Sequence, residues 1–397
     1  MDFKQAKNMD EKYIFSTYKR QPLLLVKAKG SWVWDSDGKK YLDFFSGLAV
    51  NNLGNSHPKV VQAIKAQAGT IMHTSNIFMT EPMLAVAKIL GEHFSGKVFF
   101  CNSGAEANEA AIKLARKWGS EHGGKFEIIT MEESFHGRTL TTITATGQTK
   151  YQKGFEPLTP GFKYAKFNDL GSVQKLITKK TCAIMVEPIQ GEGGVNIGEI
   201  SFIKGLREIC HDNDILLIFD EVQTGIGRTG KLFAYEHFGV KPDVMTLAKA
   251  LGGGLPIGAM LAVPAIADYF KPGNHASTFG GNPVCCAAAK AVLQSIEEDK
   301  LLDNAAKLGK ILLEKLTNFE TKYKFVKDVR GKGMMIGIEL EMEGAEIVAQ
   351  ARDKGLLINC TADKVIRLLP PITAKLSEVK AAVKILDEIF SEVEKKS

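Results

Sequence analysis

Short, largely apolar runs alternate along the chain with longer segments in which apolar residues recur at helical spacing. The runs lie at residues 98–101, 128–131, 182–186, 216–219 and 244–247. Runs of this length without polar alternation are typical of strands covered on both faces. Segments such as EPMLAVAKILGEHF and AEANEAAIKLARKWG have the period of amphipathic helices. The pattern predicts an α/β fold, with a mostly parallel central sheet and helices on both of its faces.

The two ends of the chain have a different pattern, which predicts a second, smaller domain. Residues 23–45 alternate and turn, and Asp37-Gly38 between β-rich runs is a strong hairpin signal. This antiparallel meander is too small to be stable alone. Near the C-terminus, VRGKGMMIGIEL and LLINC…VIRLLPP are predicted strands, and LSEVKAAVKILDEIFSEV is an amphipathic closing helix. We therefore expect a large domain at 51–290 and a small α/β domain built from 1–50 and 291–397.

The link between these domains is predicted as one long helix that begins at Pro283 and runs through AAAKAVLQSIEEDKLLDNAAKLGKILLEKL. Its apolar residues keep helical spacing across the acidic segment in the middle. No internal repeat or low-complexity linker interrupts the chain.

Composition and charge narrow the functional classes. The 397 residues are 45% hydrophobic and 24% charged. The net charge is +6, and because the lysines are scattered along the chain, no surface for binding nucleic acid or a membrane is expected. No apolar run approaches the ~20 residues of a membrane span. The N-terminal segment MDFKQAKNMDEKY has no signal-peptide or transit-peptide pattern. The six cysteines lack metal-binding spacing, which predicts reduced thiols, a cytoplasmic protein and no metal site.

Candidate chemistry appears where two of the apolar runs end. The run at 216–219 ends in Asp220-Glu221, and Lys249 with its three following glycines comes two residues after the run at 244–247. Ligands of open parallel sheets bind beyond the carboxyl ends of the strands. A lysine amine forms a Schiff base with a carbonyl, and pyridoxal 5'-phosphate (PLP) needs such a lysine together with an acid at its pyridine nitrogen. Lys249 and Asp220 are therefore the candidate catalytic pair.

A phosphate site is predicted where the run at 98–101 turns into a helix. Asn102, Ser103 and Gly104 form the turn, and Ser103 with Glu106 has the form of a capping box. The first N–H groups of a helix attract anions. Ser103, Gly104 and Ala105 are the candidates for binding the cofactor phosphate, and a routine helix cap is the alternative.

Gly225, Gly227 and Gly230 also spell GxGxxG after a strand, as a dinucleotide-binding turn would. Charged Arg228 lies inside this motif, no helix is predicted to begin at its third glycine, and no acidic strand end follows about 20 residues later. An NAD-dependent oxidoreductase is therefore a remote alternative.

Several motifs together resemble those of the class III (ω-) aminotransferases, PLP enzymes of fold type I. The resemblance rests on DEVQTGIGRTG, TLAKALGGGLPIGA, SGAEANEAA and FHGRT, and it extends from PLLLVKAKGSWVWDSDGKKYLDF to VIRLLPP. It implies a large domain with a seven-stranded sheet and a small domain formed by both termini. It also implies a homodimer with shared active sites.

The resemblance assigns roles around the cofactor. It places Asp220 at the pyridine nitrogen, Phe135 and Val222 against the ring, and Gln223 at the phenolic oxygen. Thr278 would reach the phosphate of the neighbouring subunit.

It also assigns the substrate-binding residues. Arg138, whose planar fork suits a carboxylate, would bind the substrate α-carboxylate. Arg367 would pair with Glu192 when an ω-amine donor is bound. When glutamate is the substrate, Arg367 would instead bind the distal carboxylate of glutamate. Ser277 is a further candidate for substrate contact, whereas His136 and Glu221 are predicted to be structural.

Within the family, CNSGAEANEAA, EGGV and GLLINCTADKVIRLLPP resemble most the enzymes that transfer the ω-amino group of N-acetylornithine to 2-oxoglutarate. Relatives that act on ornithine, 4-aminobutyrate or N-succinyl-diaminopimelate carry the same catalytic residues, so these donors remain alternatives. A non-enzymatic PLP-binding protein is a more remote one, because it would not need Arg138 and Arg367.

Overall fold

A computed structural model describes residues 1–396 of the chain. The strands are β1 Leu25–Lys29, β2 Trp32–Asp35, β3 Lys40–Asp43, β4 Lys97–Cys101, β5 Glu127–Met131, β6 Phe162–Ala165, β7 Thr181–Val186, β8 Ile189–Gln190, β9 Asn196–Ile197, β10 Leu216–Asp220, β11 Val244–Leu247, β12 Gly258–Ala262, β13 Val326–Lys332, β14 Met335–Leu340, β15 Leu356–Leu357, β16 Asn359–Thr361 and β17 Val365–Leu368. The helices are α1 Phe3–Tyr13, α2 Ser46–Ala49, α3 Pro58–Ala68, α4 Glu81–Phe94, α5 Gly104–Glu121, α6 Leu140–Ala145, α7 Thr149–Gln152, α8 Leu170–Leu176, α9 Ile200–Asp212, α10 Pro264–Ala267, α11 Pro283–Glu298, α12 Leu301–Lys322, α13 Ala345–Asp353 and α14 Leu376–Glu394, with short 3₁₀ turns at Ala234–His237 and Lys249–Gly252.

The central sheet has seven strands in the order β4-β12-β11-β10-β7-β5-β6. Strand β12 is antiparallel to both of its neighbours, and the other pairs are parallel. The predicted mostly parallel sheet is confirmed. The carboxyl ends of β10, β7 and β5 therefore meet at one edge.

The apolar runs of the sequence form this sheet because each strand is buried on both faces. In β10, Leu216 and Ile218 belong to the cluster that includes the α5 side chains Leu114 and Trp118. Leu217 and Phe219 belong instead to the cluster of α9 on the opposite face. Burial of a large apolar side chain stabilises by about 1.5–3 kcal/mol, so helices on both faces explain a strand with no polar alternation.

The two ends of the chain meet in a second region of the molecule. The meander β1-β2-β3 is extended by β15, which pairs with β3 in parallel through Leu356 opposite Leu42 and Leu357 opposite Asp43. A further sheet, β13-β14-β17-β16, comes entirely from the C-terminal part. Strand β15 therefore joins the two ends of the chain in one sheet.

The prediction of one long helix after Pro283 is wrong. Helix α11 ends at Glu298, and α12 begins at Leu301 after Lys300, whose φ of 50° and ψ of 43° lie in the left-handed region. The residues between the helices are Asp299, a weak helix former, and Lys300, a good one. The turn allows Leu301, 8% exposed, to be buried in the core. Since α11 is continuous from 283 to 298, the expected domain boundary at 290 falls inside a helix.

The short element α2 is a left-handed turn that precedes the site. Ser46, Leu48 and Ala49 have φ values of 49°, 63° and 65°. Each such non-glycine residue costs roughly 1–2 kcal/mol. The carboxylate of Asp43 stabilises the turn by accepting the N–H of Ser46 at 2.7 Å. The chain leaves this turn at Val50, which lines the cavity described below.

Within residues 1–396, no helix combines the length and the apolar character that crossing a bilayer requires.

Candidate active site

A cavity of about 490 Å³ opens at the carboxyl edge of the central sheet. This volume is in the range of small-ligand sites. Ten of the residues predicted for the site line it, namely Ser103, Gly104, Ala105, Phe135, Arg138, Glu192, Asp220, Val222, Gln223 and Lys249. Residues that the sequence analysis did not single out also line it, among them Val50, Asn102, Asn108, Gly137, Glu187 and the segment 254–257. The predicted residues come from five separate segments, and the fold brings them together.

Asp220, the last residue of β10, is held by three donors at the base of the cavity. Its Oδ2 atom lies 2.7 Å from His136 Nδ1 and accepts a hydrogen bond from Asn108 Nδ2 at 2.7 Å. Its Oδ1 atom accepts the N–H of Val222 at 3.0 Å. Thr246 orients the amide of Asn108 by donating to its oxygen at 2.7 Å. The carboxylate is 3% exposed, so these contacts determine its orientation.

Lys249 lies three residues beyond Thr246, the partner of Asp220 in the parallel register of β10 and β11. Its φ of 41° is in the left-handed region, where strain is common at functional sites. Its amine has no hydrogen-bond or ion-pair partner within residues 1–396. Burial lowers the pKa of Lys249, and the charge of Glu192 opposes that shift. A buried, unpaired amine of lowered pKa is suited to attack a carbonyl.

The turn before α5 presents free donors on the same side of the cavity. Ser103 caps the helix by accepting the N–H of Glu106 at 3.2 Å. The Glu106 carboxylate accepts the N–H of Asn102 at 2.9 Å rather than that of Ser103, so the expected capping box is shifted by one residue. At Gly104, a Cβ atom would lie 2.6 Å from Val222 Cγ1, which explains the glycine. The N–H groups at the start of α5 suit an anion such as a phosphate.

Phe135 and Arg138 lie on the loop that follows β5. The guanidinium of Arg138 stacks on the ring of Tyr151, 4.0 Å from its centroid, and lies 5.5 Å from the centroid of Phe135. Stacking holds the plane of the guanidinium while leaving its N–H groups available. Tyr151 meets Phe135 edge to face at 5.7 Å. Tyr151 was not predicted from the sequence, because it lies on α7 and not on the loop that carries Phe135 and Arg138.

Glu192 and Arg367 form a buried ion pair. Arg367 Nη1 lies 2.8 Å from Glu192 Oε1 and also donates to the carbonyl of Gly191 at 2.8 Å. Gln223 joins the pair, with its Oε1 3.1 Å from Arg367 Nη1 and its Nε2 3.3 Å from Glu192 Oε1. Burial alone would raise the pKa of Glu192, but the charges of Arg367 and Lys249 outweigh burial and lower it. Arg367 Nη2 is buried without a hydrogen-bond partner among residues 1–396. Arg367 is fully buried and does not itself line the cavity, which it borders through Glu192 and Gln223.

Ser277 and Thr278 are not brought into the cavity of their own chain. Ser277 Oγ accepts the N–H of Gly280 at 3.0 Å and lies 3.2 Å from Asn102 Nδ2. Thr278 is exposed and lies beside the 73–83 segment in a separate surface depression. Within one chain, Thr278 is therefore separated from the other candidates, whereas Ser277 lies beside the cavity in contact with Asn102.

Glu187, which follows β7, is a cavity residue that sequence analysis missed. Its Oε2 accepts the N–H of Phe135 at 3.0 Å, and its Oε1 accepts that of Gly191 at 3.4 Å. Burial raises its pKa to about 7, and the charge of His136 opposes this shift. Its position directly after an apolar run, like that of Asp220, is a signal that would have identified it.

Three further residues named from the sequence are His136 and Glu221, which were predicted to be structural, and Arg228, which lies inside the GxGxxG motif. His136 was expected to be structural, yet its ring contacts Asp220 and it lines the cavity. Glu221 lies outside the cavity and accepts the N–H groups of Ala234 and Tyr235, in agreement with a structural role. Arg228 is fully buried, where it donates to the carbonyl of Met334 at 2.9 Å.

The GxGxxG motif is not a dinucleotide-binding turn. A Cβ on Gly227 would lie 3.1 Å from Leu302, and one on Gly230 would lie 3.0 Å from Ala306. The loop therefore packs against α12, and no helix begins at Gly230.

Comparison with known proteins identifies the family. The aminotransferase class III family model matches residues 14–390. The chain belongs to the class III aminotransferases. It is 53% identical to the acetylornithine aminotransferase of Methanocaldococcus jannaschii over 392 residues, which cover 98% of each chain.

Solved structures of this family agree with the fold. The ornithine aminotransferase of Toxoplasma gondii superposes with a TM-score of 0.96 at 33% identity, covering 100% of this chain and 97% of that one. A second structure of that enzyme, described with partial occupancy of PLP at its active site, has a TM-score of 0.95 at 33% identity and covers 99% and 95% of the two chains. The α/β fold expected from the sequence is confirmed.

Like other class III aminotransferases, the chain is a PLP-dependent transaminase. The residues of the cavity fit this cofactor. The unpaired amine of Lys249, the oriented carboxylate of Asp220 and the free N–H groups before α5 match its carbonyl, its ring nitrogen and its phosphate in chemical type.

Proposed function

We propose that this class III aminotransferase moves the ω-amino group of N2-acetyl-L-ornithine to 2-oxoglutarate, giving N-acetyl-L-glutamate 5-semialdehyde and L-glutamate, a step of arginine biosynthesis. The observation that carries the substrate class is the buried Arg367 beside Glu192, because this pair can serve two kinds of substrate at one position. The 53% identity to acetylornithine aminotransferases supports the donor.

PLP, when bound, carries the amino group and accepts electrons from the substrate carbon that loses a proton. Lys249 would hold the cofactor, and Asp220 would keep its pyridine nitrogen protonated. Ser103, Gly104 and Ala105 would bind the phosphate. Phe135 and Val222 would contact the ring, and Gln223 its phenolic oxygen.

The proton transfer falls to Lys249. The Nζ atom of Lys249 would take the proton from the amine-bearing carbon of the donor, becoming an ammonium group, and would then give that proton to the cofactor carbon that receives the amino group. The lowered pKa of Lys249 supports this role, because only the neutral amine can accept a proton and burial favours that form.

Arg138 would bind the α-carboxylate of the donor. Its guanidinium group lies over the ring of Tyr151, and Arg138 lines the cavity. Bidentate binding of a carboxylate by arginine gives both affinity and orientation. Ser277 would contact substrate only if the donor extends past Asn102.

Arg367 and Glu192 would distinguish the two half-reactions. With the ω-amine donor bound, Glu192 neutralises Arg367. With 2-oxoglutarate bound, the distal carboxylate of this substrate replaces Glu192 on the guanidinium. The buried Nη2 of Arg367 has no hydrogen-bond partner among residues 1–396. This supports the second state, because Nη2 can donate to a second carboxylate oxygen once Glu192 has moved aside.

The active enzyme would be a homodimer. Exposed apolar side chains cover the loop between α3 and α4, with Ile77 85%, Phe78 66% and Met79 80% exposed, and Phe279 beside Thr278 is 57% exposed. Asn76 joins this loop to the 277–280 turn through its Nδ2 atom. A continuous apolar surface of this kind favours a protein interface. A second copy covering it would bring Thr278 to the neighbouring phosphate site.

The dimer is tested by the substitution Phe78→Asp, with Phe155→Asp at another exposed position as the control. Sedimentation should give a monomer for the first variant and a dimer for the second. A Phe78→Asp dimer of unchanged affinity would contradict the interface.

The domain division and the compartment are further parts of the proposal. We assign residues 1–50 and 291–397 to a small domain and 51–290 to a large one, with the boundary at 290 lying within α11. The large domain then forms the cavity, and the small domain contributes Val50 to its lining. None of the six cysteines is paired in a disulfide, which supports a reducing compartment such as the cytoplasm.

The donor is tested by the absorbance spectrum of the purified protein with PLP. N-acetylornithine, ornithine, 4-aminobutyrate and N-succinyl-diaminopimelate would each be added in turn, and the loss of the cofactor's visible band followed. We expect the fastest loss with N-acetylornithine. Faster loss with another donor would overturn the substrate while keeping the reaction class.

A further inference from the structure

Glu192 lies on the loop 191–197, which follows β8 and includes β9. Strands β8 and β9 pair with each other and form a two-stranded sheet. This hairpin lies against β13 of the C-terminal sheet β13-β14-β17-β16. Arg330 on β13 reaches this loop from a strand that contributes nothing to the cavity lining.

Arg330 makes contacts with three consecutive residues of the loop. Its Nη2 donates to the carbonyl of Gly194 at 2.7 Å and to Asn196 Oδ1 at 3.2 Å. Its Nε donates to the carbonyl of Val195 at 3.2 Å. Charge-assisted hydrogen bonds to a backbone are stronger than neutral ones, and the planar fork holds several of them in one geometry.

Two carboxylates hold Arg330 itself in place. Its Nη1 lies 2.6 Å from Asp328 Oδ2 and 2.6 Å from Glu339 Oε2. The guanidinium is therefore bonded on its own sheet and on the loop at once, and it joins the two.

The backbone of the loop has little room to move. A Cβ on Gly191 would lie 2.2 Å from Gln223 Oε1, and one on Gly193 would lie 2.4 Å from the carbonyl of Glu133. Val195 is fully buried with a φ of 57°, an uncommon conformation for a β-branched residue. Such strain persists only where surrounding contacts impose it, and Arg330 bonds the carbonyl of this residue.

We propose that Arg330 is a positioning residue for Glu192. It anchors the loop backbone so that the Glu192 side chain alone changes place when Arg367 exchanges one carboxylate for another. The inference rests on the exchange between Glu192 and Arg367 in the proposed function. Without the anchor, Glu192 loses its alignment with Arg367, and the half-reaction that needs their pairing suffers selectively.

The test compares Arg330→Met with Lys327→Met. Lys327 lies on the same strand and bonds the same Glu339 at 2.6 Å but has no contact with the loop, so it is a matched control. Each half-reaction is followed by the cofactor's absorbance in single-turnover experiments, with the donor that the wild type converts fastest and then with 2-oxoglutarate. Arg330→Met should raise the half-saturating donor concentration about tenfold and change that for 2-oxoglutarate less than about twofold. Lys327→Met should change neither.

A second readout needs no cofactor. Amide hydrogen exchange in the segment 190–198 of the cofactor-free protein should be faster in Arg330→Met and unchanged in Lys327→Met, because local opening requires release of the anchor. Arg330→Lys keeps the charge between Asp328 and Glu339 but loses the fork, and it should give the same split if Arg330→Met fails to fold. Equal losses in both half-reactions, or unchanged exchange, would overturn the proposal.

The variant Glu192→Gln distinguishes the positioning role of Arg330 from the exchange of carboxylates at Arg367. If this variant shows the donor-selective loss and Arg330→Met does not, the positioning role of Arg330 is wrong and the exchange stands. If Glu192→Gln affects both half-reactions equally, the exchange itself is wrong and the inference on Arg330 fails with it.

Discussion

His136 Nδ1 lies 2.7 Å from Asp220 Oδ2, and both side chains are buried beneath the cavity. Burial alone would lower the pKa of His136, but its hydrogen bond to Asp220 and the charge of that carboxylate outweigh burial and raise it. The pair is therefore mutually stabilising, and His136 orients the carboxylate that is proposed to face the cofactor nitrogen. A residue expected to be only structural thus acts directly on the proposed catalytic acid.

We predict that Asp220→Asn lowers the single-turnover rate by roughly three orders of magnitude. Two unit charges ~4 Å apart at an effective dielectric of ~20 interact by about 4 kcal/mol, and each 1.36 kcal/mol is worth about tenfold in rate. Stopped-flow absorbance with N-acetylornithine measures this rate. Asp214→Asn, whose exposed side chain precedes the same strand, should leave it unchanged. A loss below tenfold in Asp220→Asn would contradict the assignment.

Lys249→Ala should abolish turnover while the protein stays folded. The amine makes no contact that stabilises the fold within residues 1–396, so its removal takes away the chemistry and not the structure. Turnover and circular dichroism are measured together, with the exposed Lys231→Ala as control. Near wild-type turnover in Lys249→Ala would exclude this residue as the cofactor lysine.

Arg138→Met should lower kcat/KM for the donor roughly 10- to 100-fold, since hydrogen bonds to a charged group contribute about 1.5–3 kcal/mol. Lys150 lies over the same Tyr151 ring at 5.2 Å but does not line the cavity, so Lys150→Met is the matched control. Steady-state kinetics with N-acetylornithine tests the prediction. Equal effects of the two substitutions would indicate that only packing on Tyr151 matters.

The stability of the protein should fall as the pH rises between about 4.5 and 8, in part because of Glu221. Burial raises the pKa of its carboxyl from 4.5 to about 8, and the backbone N–H groups of Ala234 and Tyr235 oppose that shift. A group whose pKa is raised by folding stabilises fully below its unfolded pKa, and this contribution is lost as the pH passes the folded value.

Urea unfolding at several pH values measures this dependence. Glu221→Gln cannot titrate, so its free energy of unfolding should fall less between pH 5 and 8 than that of the wild type. An identical slope in the two proteins would show that Glu221 does not titrate in this range.

The sequence allowed the central sheet and the principal site residues to be predicted because the signals are local. Most of the buried strands are short, largely apolar runs, and Asp220 stands directly at the end of one. Lys249 and the turn before α5 are recognisable for the same reason. Topology alone then brings strand ends together at one edge.

Other features depend on contacts between distant residues and had no local signal. Phe135 and Glu187 are 52 positions apart, and Arg330 and Val195 are 135 apart. The left-handed residue Lys300 interrupts an apolar pattern that keeps helical spacing on both sides of the break, so the pattern alone did not reveal it. The sequence around Thr278 predicts only a loop, so its exposure could not be predicted from the neighbouring residues.

The parallel pairing of β3 with β15 has a consequence for the order of assembly. Residues 40–43 leave the ribosome more than 300 residues before their partner at 356–357 is made. The first sheet therefore remains one strand short throughout synthesis, while the central sheet between residues 97 and 262 has all its strands. Since domains generally fold as units during synthesis, the N-terminal meander should become resistant to protease on a nascent chain only after the central sheet, although it is made first.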